Sequence, residues 1–208
     1  VAVLGTISIL MVARIARRLT RSNLVGILAG FLLALDGMHL VLSRTGLLDL
    51  VLMFWILAAF GLLLIDRDRT RLRLAGMAER DGLASLSTQW GPRLGLRPLR
   101  WAAALALGLA CAVKWSGIWY VAFFILLTLI WDVSTRRAIG VRRSWVATIL
   151  RDAPLTGLSM LAIIVVVYFA SWTGWLLTDG GYGMLRFDQT VAGDEHRGDA
   201  RARPPGAE

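Results

Sequence analysis

Four ionisable side chains lie close together in the stretch 34–49, ALDGMHLVLSRTGLLD, between two long apolar runs. They are Asp36, His39, Arg44 and Asp49. Each charge at membrane depth costs roughly 2.5–3.5 kcal/mol on insertion scales, so a chain that groups several there is expected to use them. On a continuous helix Asp36, His39 and Ser43 share one narrow face. The pattern predicts that these polar groups look into one cavity while neighbouring leucines meet lipid or other helices.

A second basic interruption occurs at Lys114, in the sequence VKWSG between two further apolar runs. Arg44 and Lys114 next to helix ends could bind an anion, since Arg offers paired hydrogen bonds and Lys a compact charge. A phosphate carried on a lipid fits this geometry, with its tail among the helices and its head at the interface. Neutralising that phosphate would stabilise it as a leaving group. Asp36 and Asp49 could orient the cations or bind sugar hydroxyls.

Each of these residues also has a purely structural interpretation. Arg44 and Asp49 could form a structural ion pair, and Lys114 could extend to the interface. His39 could be a hydrogen-bonded interior group, and Asp36 could bond backbone at a helix break. Interface anchoring is the structural interpretation of the neighbouring aromatic residues Trp115, Trp119 and Tyr120.

The composition predicts the class of protein. The chain has 208 residues, is 57% hydrophobic and has a mean hydropathy of +0.64. Soluble domains are about 45–50% apolar, and here the excess lies in runs close to membrane-spanning length. We therefore predict an all-α polytopic membrane protein with about six spans. The single cysteine, Cys111, excludes a disulfide or cysteine zinc site within the chain. The chain begins with Val1 inside an apolar run, so we expect an N-terminal part to precede it.

The predicted apolar runs cover residues 1–13, 24–42, 47–65, 101–113, 118–131 and 153–172. Ser22 is a predicted helix N-cap. Residues 66–100 are a predicted polar connection with eight Arg, and the stretch from 186 onward reads as disordered. The predicted domains are a membrane region, 1–176, and a loop with a disordered tail, 177–208.

The distribution of positive charge decides how 101–131 is divided. One helix over this range would be roughly 46 Å long, too long for a hydrocarbon core of about 30 Å. Two helices joined by a tight turn at 114–117 place both flanking Arg-rich loops on one side, as the positive-inside rule prefers. The predicted outer turns then carry one basic residue each, Arg44 and Lys114. We therefore interpret the basic residues behind the net charge of +9 as topology signals and contacts with anionic lipids, and we predict no nucleic-acid partner.

Three motifs in order, LDGMHLVLSRTGLLDLVLMFW, GLACAVKWSGIWYV and SWTGWL, resemble the protein O-mannosyltransferase family in its actinobacterial branch. The resemblance implies a polytopic GT-C glycosyltransferase, in this chain a fragment of the membrane domain. Such enzymes move mannose, with inversion, from a polyprenyl phosphate to Ser or Thr hydroxyls of proteins, without a nucleotide-sugar donor. No cofactor and no metal site are predicted.

The resemblance also assigns roles to residues. Arg44 and Lys114 are the expected donor-phosphate contacts, with Asp36, His39 and Trp115 as further substrate-binding candidates. Asp49 is the candidate catalytic residue, although the resemblance implies that the main acidic base lies in a loop before this chain. The chain alone is therefore expected to be inactive.

The expected partners are a polyprenyl-phosphate-mannose donor, Ser/Thr-containing acceptor proteins met at the secretion translocon, and membrane lipids. The expected location is the cell membrane, multi-pass, with the active face extracytoplasmic. Two alternatives stay open. One is another GT-C enzyme with a lipid-phosphate donor, such as an arabinose or aminoarabinose transferase. The other is a proton-coupled transporter with Asp36, His39 and Asp49 as a relay, which would require mid-membrane polar groups and inverted repeats.

Overall fold

The structure, a computed structural model, describes residues 1–88, 90–92 and 95–177. These residues form helices and loops, and no β-strand occurs among them. The tail from residue 186, predicted to be disordered, lies outside the described residues. The helices are α1 (Ala2–Thr20), α2 (Asn23–Leu35), α3 (Gly37–Thr45), α4 (Leu48–Asp81), α5 (Leu83–Leu86), α6 (Pro98–Val113), α7 (Gly117–Ala138), α8 (Ser144–Ala147), α9 (Ala153–Ser171) and α10 (Thr173–Leu177). A π-helical segment, Thr148–Asp152, joins α8 to α9.

Several helices are long and apolar enough to cross a membrane. Three described segments meet that condition: α4, α7 and the stretch Ser144–Trp175. α2 and α3 together form a fourth candidate, and α6 is a shorter apolar helix of 16 residues. α1 falls short because Arg residues occupy its last two turns. The prediction of an all-α polytopic membrane protein is confirmed over the described residues, while length and composition support four of the roughly six predicted spans.

Two local predictions about helix ends are confirmed. Ser22 is the N-cap of α2, and its hydroxyl accepts a hydrogen bond from the Val25 backbone N–H at 3.4 Å. The predicted hairpin at 114–117 is a tight turn between α6 and α7, closed by the Gly117 N–H donating to the Lys114 carbonyl. Charge distribution and helix length were therefore sufficient to divide the long apolar stretch correctly.

Two other predictions about elements are wrong. The run 24–42 is not one helix, because the chain bends by 60° at Asp36 between α2 and α3. The segment 66–100 is not mainly a loop, because α4 continues through it as far as Asp81. The apolar run marks where a helix could lie in lipid, whereas a charged, helix-favouring sequence extends the same helix into water.

The core lies between α4, α6, α7 and α9. Ala-rich α6 packs on α4, and Ala103, Ala104 and Leu107 are fully buried there. Small residues let helix backbones approach closely, which is the main source of helix association in lipid. Gly108 shows how tight the packing is, since a β-carbon at this position would lie 2.8 Å from the Val167 side chain.

α1 and α2 form an antiparallel pair through another small-residue contact. Gly26 and Gly30 are spaced as in a GxxxG motif, and β-carbons at both positions would collide with Ala13 of α1. The chain divides into two compact units, Val1–Tyr168 and Phe169–Glu208. In the described part of the second unit, the Trp172 and Trp175 rings meet edge to face at 5.6 Å.

Candidate functional site

The ends of α4 and α6 bring two of the predicted site residues together. Asp49 lies in the first turn of α4, and Lys114 is the C-cap residue of α6. The Lys114 Nζ donates to Asp49 Oδ1 at 2.7 Å, and both side chains are about half exposed. We call this end of the helices the Lys114 end. The pairing of Asp49 with Lys114 is not the Arg44–Asp49 pair that the sequence allowed as its structural alternative.

Arg44 lies close by in sequence, in the last turn of α3. α3 ends at Gly46, whose positive φ of 73° lets the chain turn into α4 within three residues. The Arg44 side chain is exposed, and no described residue forms a hydrogen bond or ion pair with it. Its guanidinium is therefore available to an anion, whereas the half-exposed ammonium group of Lys114 already donates one of its three N–H groups to Asp49.

Asp36 and His39 have mainly structural contacts. Asp36 caps α3, and its carboxylate accepts the His39 backbone N–H at 2.9 Å. The His39 ring is buried and Nε2 donates to the Gly5 carbonyl at 3.2 Å, which ties α3 to α1. A β-carbon at Gly5 would meet Ser43 at 2.8 Å, so His39 and Ser43 do share a face, which packs on α1. Asp36 stands at the bend, and the expectation of one continuous polar helical face through it is wrong.

Aromatic side chains surround Lys114. Trp115 is 71% exposed, and its indole N–H donates to the Tyr168 hydroxyl at 2.9 Å. Trp119 and Tyr120 follow on α7 and are also exposed. Exposed Trp and Tyr at the end of an apolar helix are typical of the membrane–water interface.

An apolar groove of about 480 Å³ opens between α4 and α7. It begins about two helical turns from the Asp49–Lys114 pair, since Ile56 follows Asp49 by seven residues and Trp119 follows Lys114 by five. Stacked rings of Phe60 and Phe124, with centroids 5.8 Å apart, stand farther along it. The groove is lined by Ile56, Phe60, Trp119, Tyr120, Phe123 and Phe124. A chain-like apolar group could lie there with its polar head near Lys114.

The opposite end of the same helices holds a buried ion network that the sequence analysis missed. Arg97 and Arg100, at the start of α6, are held by Asp66 of α4 and Asp132 of α7. All four side chains are at most 7% exposed. Burial alone would lower the pKa of Arg97, but the carboxylates of Asp132 and Asp66 hold that pKa above its ordinary value. We call this the Arg-rich end.

A sequence signal for this network was present. Asp66 and Asp132 directly follow the apolar runs 47–65 and 118–131, and Arg97 and Arg100 directly precede 101–113. Packing of these apolar runs side by side brings the charged residues at their ends together. The topology prediction counted the two arginines only as basic loop residues in contact with water. No group of three or more His, Cys, Asp or Glu within the described ranges could hold a metal ion.

The sequence matches a known family over part of its length. Residues 1–76 match the sequence profile described as dolichyl-phosphate-mannose-protein mannosyltransferase. A polyprenol-phosphate-mannose–protein mannosyltransferase of Mycobacterium tuberculosis is 44% identical over 180 residues, covering 86% of this chain and 34% of the relative. Proteins of the same name are 40% identical in Mycolicibacterium smegmatis and 38% identical in Corynebacterium glutamicum, each covering 93% of this chain and 37% of the relative.

The chain thus spans about a third of the length of the curated relatives it matches. No solved structure matches it significantly. The resemblance deduced from the three motifs, including its actinobacterial character, is confirmed by these relatives.

Proposed function

The chain belongs, over the segment that it spans, to the protein O-mannosyltransferase family, and from this premise we propose that it forms the donor-binding part of a GT-C mannosyltransferase. The reaction is transfer of mannose from polyprenyl-phosphate-mannose to Ser or Thr hydroxyls of proteins. The relatives' shared name supports both the donor and the protein acceptor.

The observation that carries the proposal is the combination of charges and groove at the Lys114 end. Arg44 is exposed and has no partner among the described residues. Lys114 is half exposed at the end of α6 and pairs with Asp49, in the first turn of the helix that follows Arg44. The apolar groove between α4 and α7 starts about two helical turns farther along α4. A lipid-linked phosphate needs these three features together, since its head requires cations and its polyprenyl tail requires an apolar channel.

The two cations would act on the leaving group. Charge-assisted hydrogen bonds from Arg44 and Lys114 would bind the phosphate oxygens of the donor. As the acceptor hydroxyl attacks the anomeric carbon from the opposite face, the bond to the phosphate breaks and negative charge grows on the leaving oxygen. Cations already in position stabilise that charge without reorganisation, which is where such sites obtain most of their rate enhancement.

Asp49 then acts on Lys114 rather than on the acceptor. Its carboxylate is engaged by the ammonium group at 2.7 Å and is not free to take the proton of the acceptor hydroxyl. We assign Asp49 to orienting Lys114, while the general base comes from an acidic residue beyond this segment. Trp115 would contribute the aromatic wall beside the sugar, and Asp36 and His39 would hold α3, which carries Arg44.

The surroundings of the reaction follow from the same proposal. We place the protein in the cell membrane, multi-pass, with the Lys114 end extracytoplasmic, because the Arg-rich end carries the basic loops. Acceptor proteins would meet this face as they leave the secretion translocon. The transporter alternative lacks support, since Asp49, Asp66 and Asp132 pair with cations at the ends of the apolar runs.

The experiment offers membranes containing the encoded protein three radiolabelled donors with one Ser/Thr-rich peptide. The donors are polyprenyl-phosphate-mannose, polyprenyl-phosphate-arabinose and GDP-mannose. We expect label in the peptide from the first donor only. Label from the arabinose lipid would redirect the proposal to another sugar, and transfer from GDP-mannose after extraction of endogenous lipid would refute a lipid-phosphate donor.

A further inference from the structure

A second groove lies between α1 and α4, and its basic residues lie toward the Arg-rich end. It has a volume of about 470 Å³, and its walls are the apolar side chains of two helices that run in the same direction. Two basic residues of α1 complete the lining at one end. The lining consists of Met11, Arg14, Ile15, Arg18, Phe54, Ala58, Gly61, Leu62, Leu64 and Ile65. An apolar channel with cations at only one end is suited to bind an amphiphile that has an anionic headgroup.

The two arginines differ in what they already bind. Arg18 forms an ion pair with Asp68 of α4 at 2.6 Å. Asp68 is shared with Arg67, so this small cluster keeps an excess positive charge. Arg14 is exposed and has no hydrogen-bond or ion-pair partner within the described part of the chain. One free guanidinium and one partly compensated one therefore face the same end of the groove.

The groove itself has room for a chain. A β-carbon at Gly61 would meet nothing closer than the Ile15 side chain at 3.7 Å, an ordinary van der Waals contact. This differs from Gly26 and Gly30, where α1 and α2 touch and a β-carbon would collide. α1 and α4 are thus less closely packed at Gly61 than α1 and α2 are at Gly26 and Gly30, and the room for a chain is the groove volume of about 470 Å³ beside this contact.

We propose that this groove binds one anionic phospholipid of the leaflet at the Arg-rich end. Its phosphate lies at Arg14 and Arg18, and one acyl chain lies along Ile15, Ala58 and Gly61. Charge complementarity selects the occupant, because basic pockets between helices on the positive-inside face bind anionic headgroups. The inference does not rest on the proposed function, because it concerns the opposite leaflet and different residues.

The test uses the encoded protein, delipidated in mild detergent and exchanged into nanodiscs of either phosphatidylglycerol or phosphatidylcholine. Native mass spectrometry after release counts the lipids that stay bound. We expect one retained phosphatidylglycerol and no retained phosphatidylcholine. Arg14→Gln should lower the retained fraction roughly fivefold, which corresponds to about 1 kcal/mol for one basic contact.

Two further variants distinguish a specific lipid-binding site from general electrostatic attraction between the protein and anionic lipid. Arg71→Gln removes the same charge from an exposed position on α4 outside the groove, where Arg71 has no partner among the residues that the structure describes, and should leave retention unchanged. Gly61→Leu places a side chain in the groove while favouring the helix, and should abolish retention without loss of folded protein.

Three results would overturn the proposal. Equal losses in Arg14→Gln and Arg71→Gln would indicate a diffuse surface charge. Equal retention of both lipids would remove the role of the arginines. No bound lipid in the unaltered protein would mean that another helix fills the groove.

Discussion

The buried ion network at the Arg-rich end gives the prediction with the largest expected effect. Asp132 accepts hydrogen bonds from Arg97 Nη1 at 2.7 Å and from Arg100 Nη2 at 2.7 and 2.8 Å. With Asp66, the four side chains carry no net charge. Asp132→Asn leaves one positive charge without compensation among side chains that are at most 7% exposed. Breaking a buried pair in this way typically costs 3–5 kcal/mol, so we expect a loss of about that size.

The chain offers a matched control on α4. Asp68→Asn makes the same chemical change in a carboxylate that is 25% exposed and is shared by Arg18, 42% exposed, and Arg67, 17% exposed. Exposed pairs contribute about 1 kcal/mol or less, so this variant should lose at most that amount. A second comparison combines Asp132→Asn with Arg100→Gln. The double variant restores neutrality and should be more stable than Asp132→Asn alone, with a coupling of about 0.5–3 kcal/mol.

The assay is a reversible SDS titration of the protein in micelles, followed through the fluorescence of its nine tryptophans. The free energy of unfolding is compared between the unaltered chain and four variants: Asp132→Asn, Arg100→Gln, their combination and Asp68→Asn. Equal, small losses in Asp132→Asn and Asp68→Asn, with simple additivity in the double variant, would refute the reasoning. They would mean that water reaches the network and screens its charges.

Three other predictions follow from close contacts and exposed charges. Gly117→Ala should lower the free energy of unfolding by about 1–3 kcal/mol in the same titration, because its β-carbon would lie 2.9 Å from the Cys111 backbone nitrogen. Gly157→Ala, in open space on α9, should leave the free energy of unfolding unchanged or raise it. Equal effects of the two substitutions would show that the α6–α7 turn adapts. His39→Ala should lower the free energy of unfolding by about 1–3 kcal/mol, because it removes a buried ring together with its hydrogen bond to the Gly5 carbonyl. An unchanged free energy of unfolding would mean that α3 is not tied to α1 through His39. Lys114→Ala should reduce mannose transfer at least tenfold. It should change the free energy of unfolding by less than about 1 kcal/mol, since the pair with Asp49 is half exposed. A large loss of both mannose transfer and stability would show that the role of Lys114 is structural.

Local sequence rules predicted the features that depend on a few neighbouring residues. The Ser22 cap follows from the hydroxyl beside the first helical turn, and the turn at Lys114 follows from span length and the side preferred by Arg. A helix break at which Asp36 bonds the backbone was one of two interpretations of that residue, and the structure confirms it. The continuous helical face was the other, because helical periodicity does not register a change of axis, although the Asp36-Gly37 pair is itself a turn signal.

Contacts between distant parts of the chain could not be deduced in the same way. Lys114 and Asp49 are 65 residues apart, and their pairing depends on the register in which α6 packs against α4. That register is set by small residues such as Ala103 and Ala104, whose apolar pattern alone fits several registers. The four-residue network at the other end is a consequence of the same register, which is why Asp66 and Arg97 looked like parts of a solvated loop.

The most direct test of the account concerns Arg44. Membranes containing the encoded protein, with or without Arg44→Ala, receive radiolabelled polyprenyl-phosphate-mannose and a Ser/Thr-rich peptide, and Arg71→Ala at the opposite end serves as the control. A charge-assisted hydrogen bond contributes about 1.5–3 kcal/mol, so kcat/KM for the donor should fall roughly ten- to a hundredfold in Arg44→Ala alone. Unchanged transfer in Arg44→Ala, with the donor intact, would contradict a phosphate site at the Lys114 end.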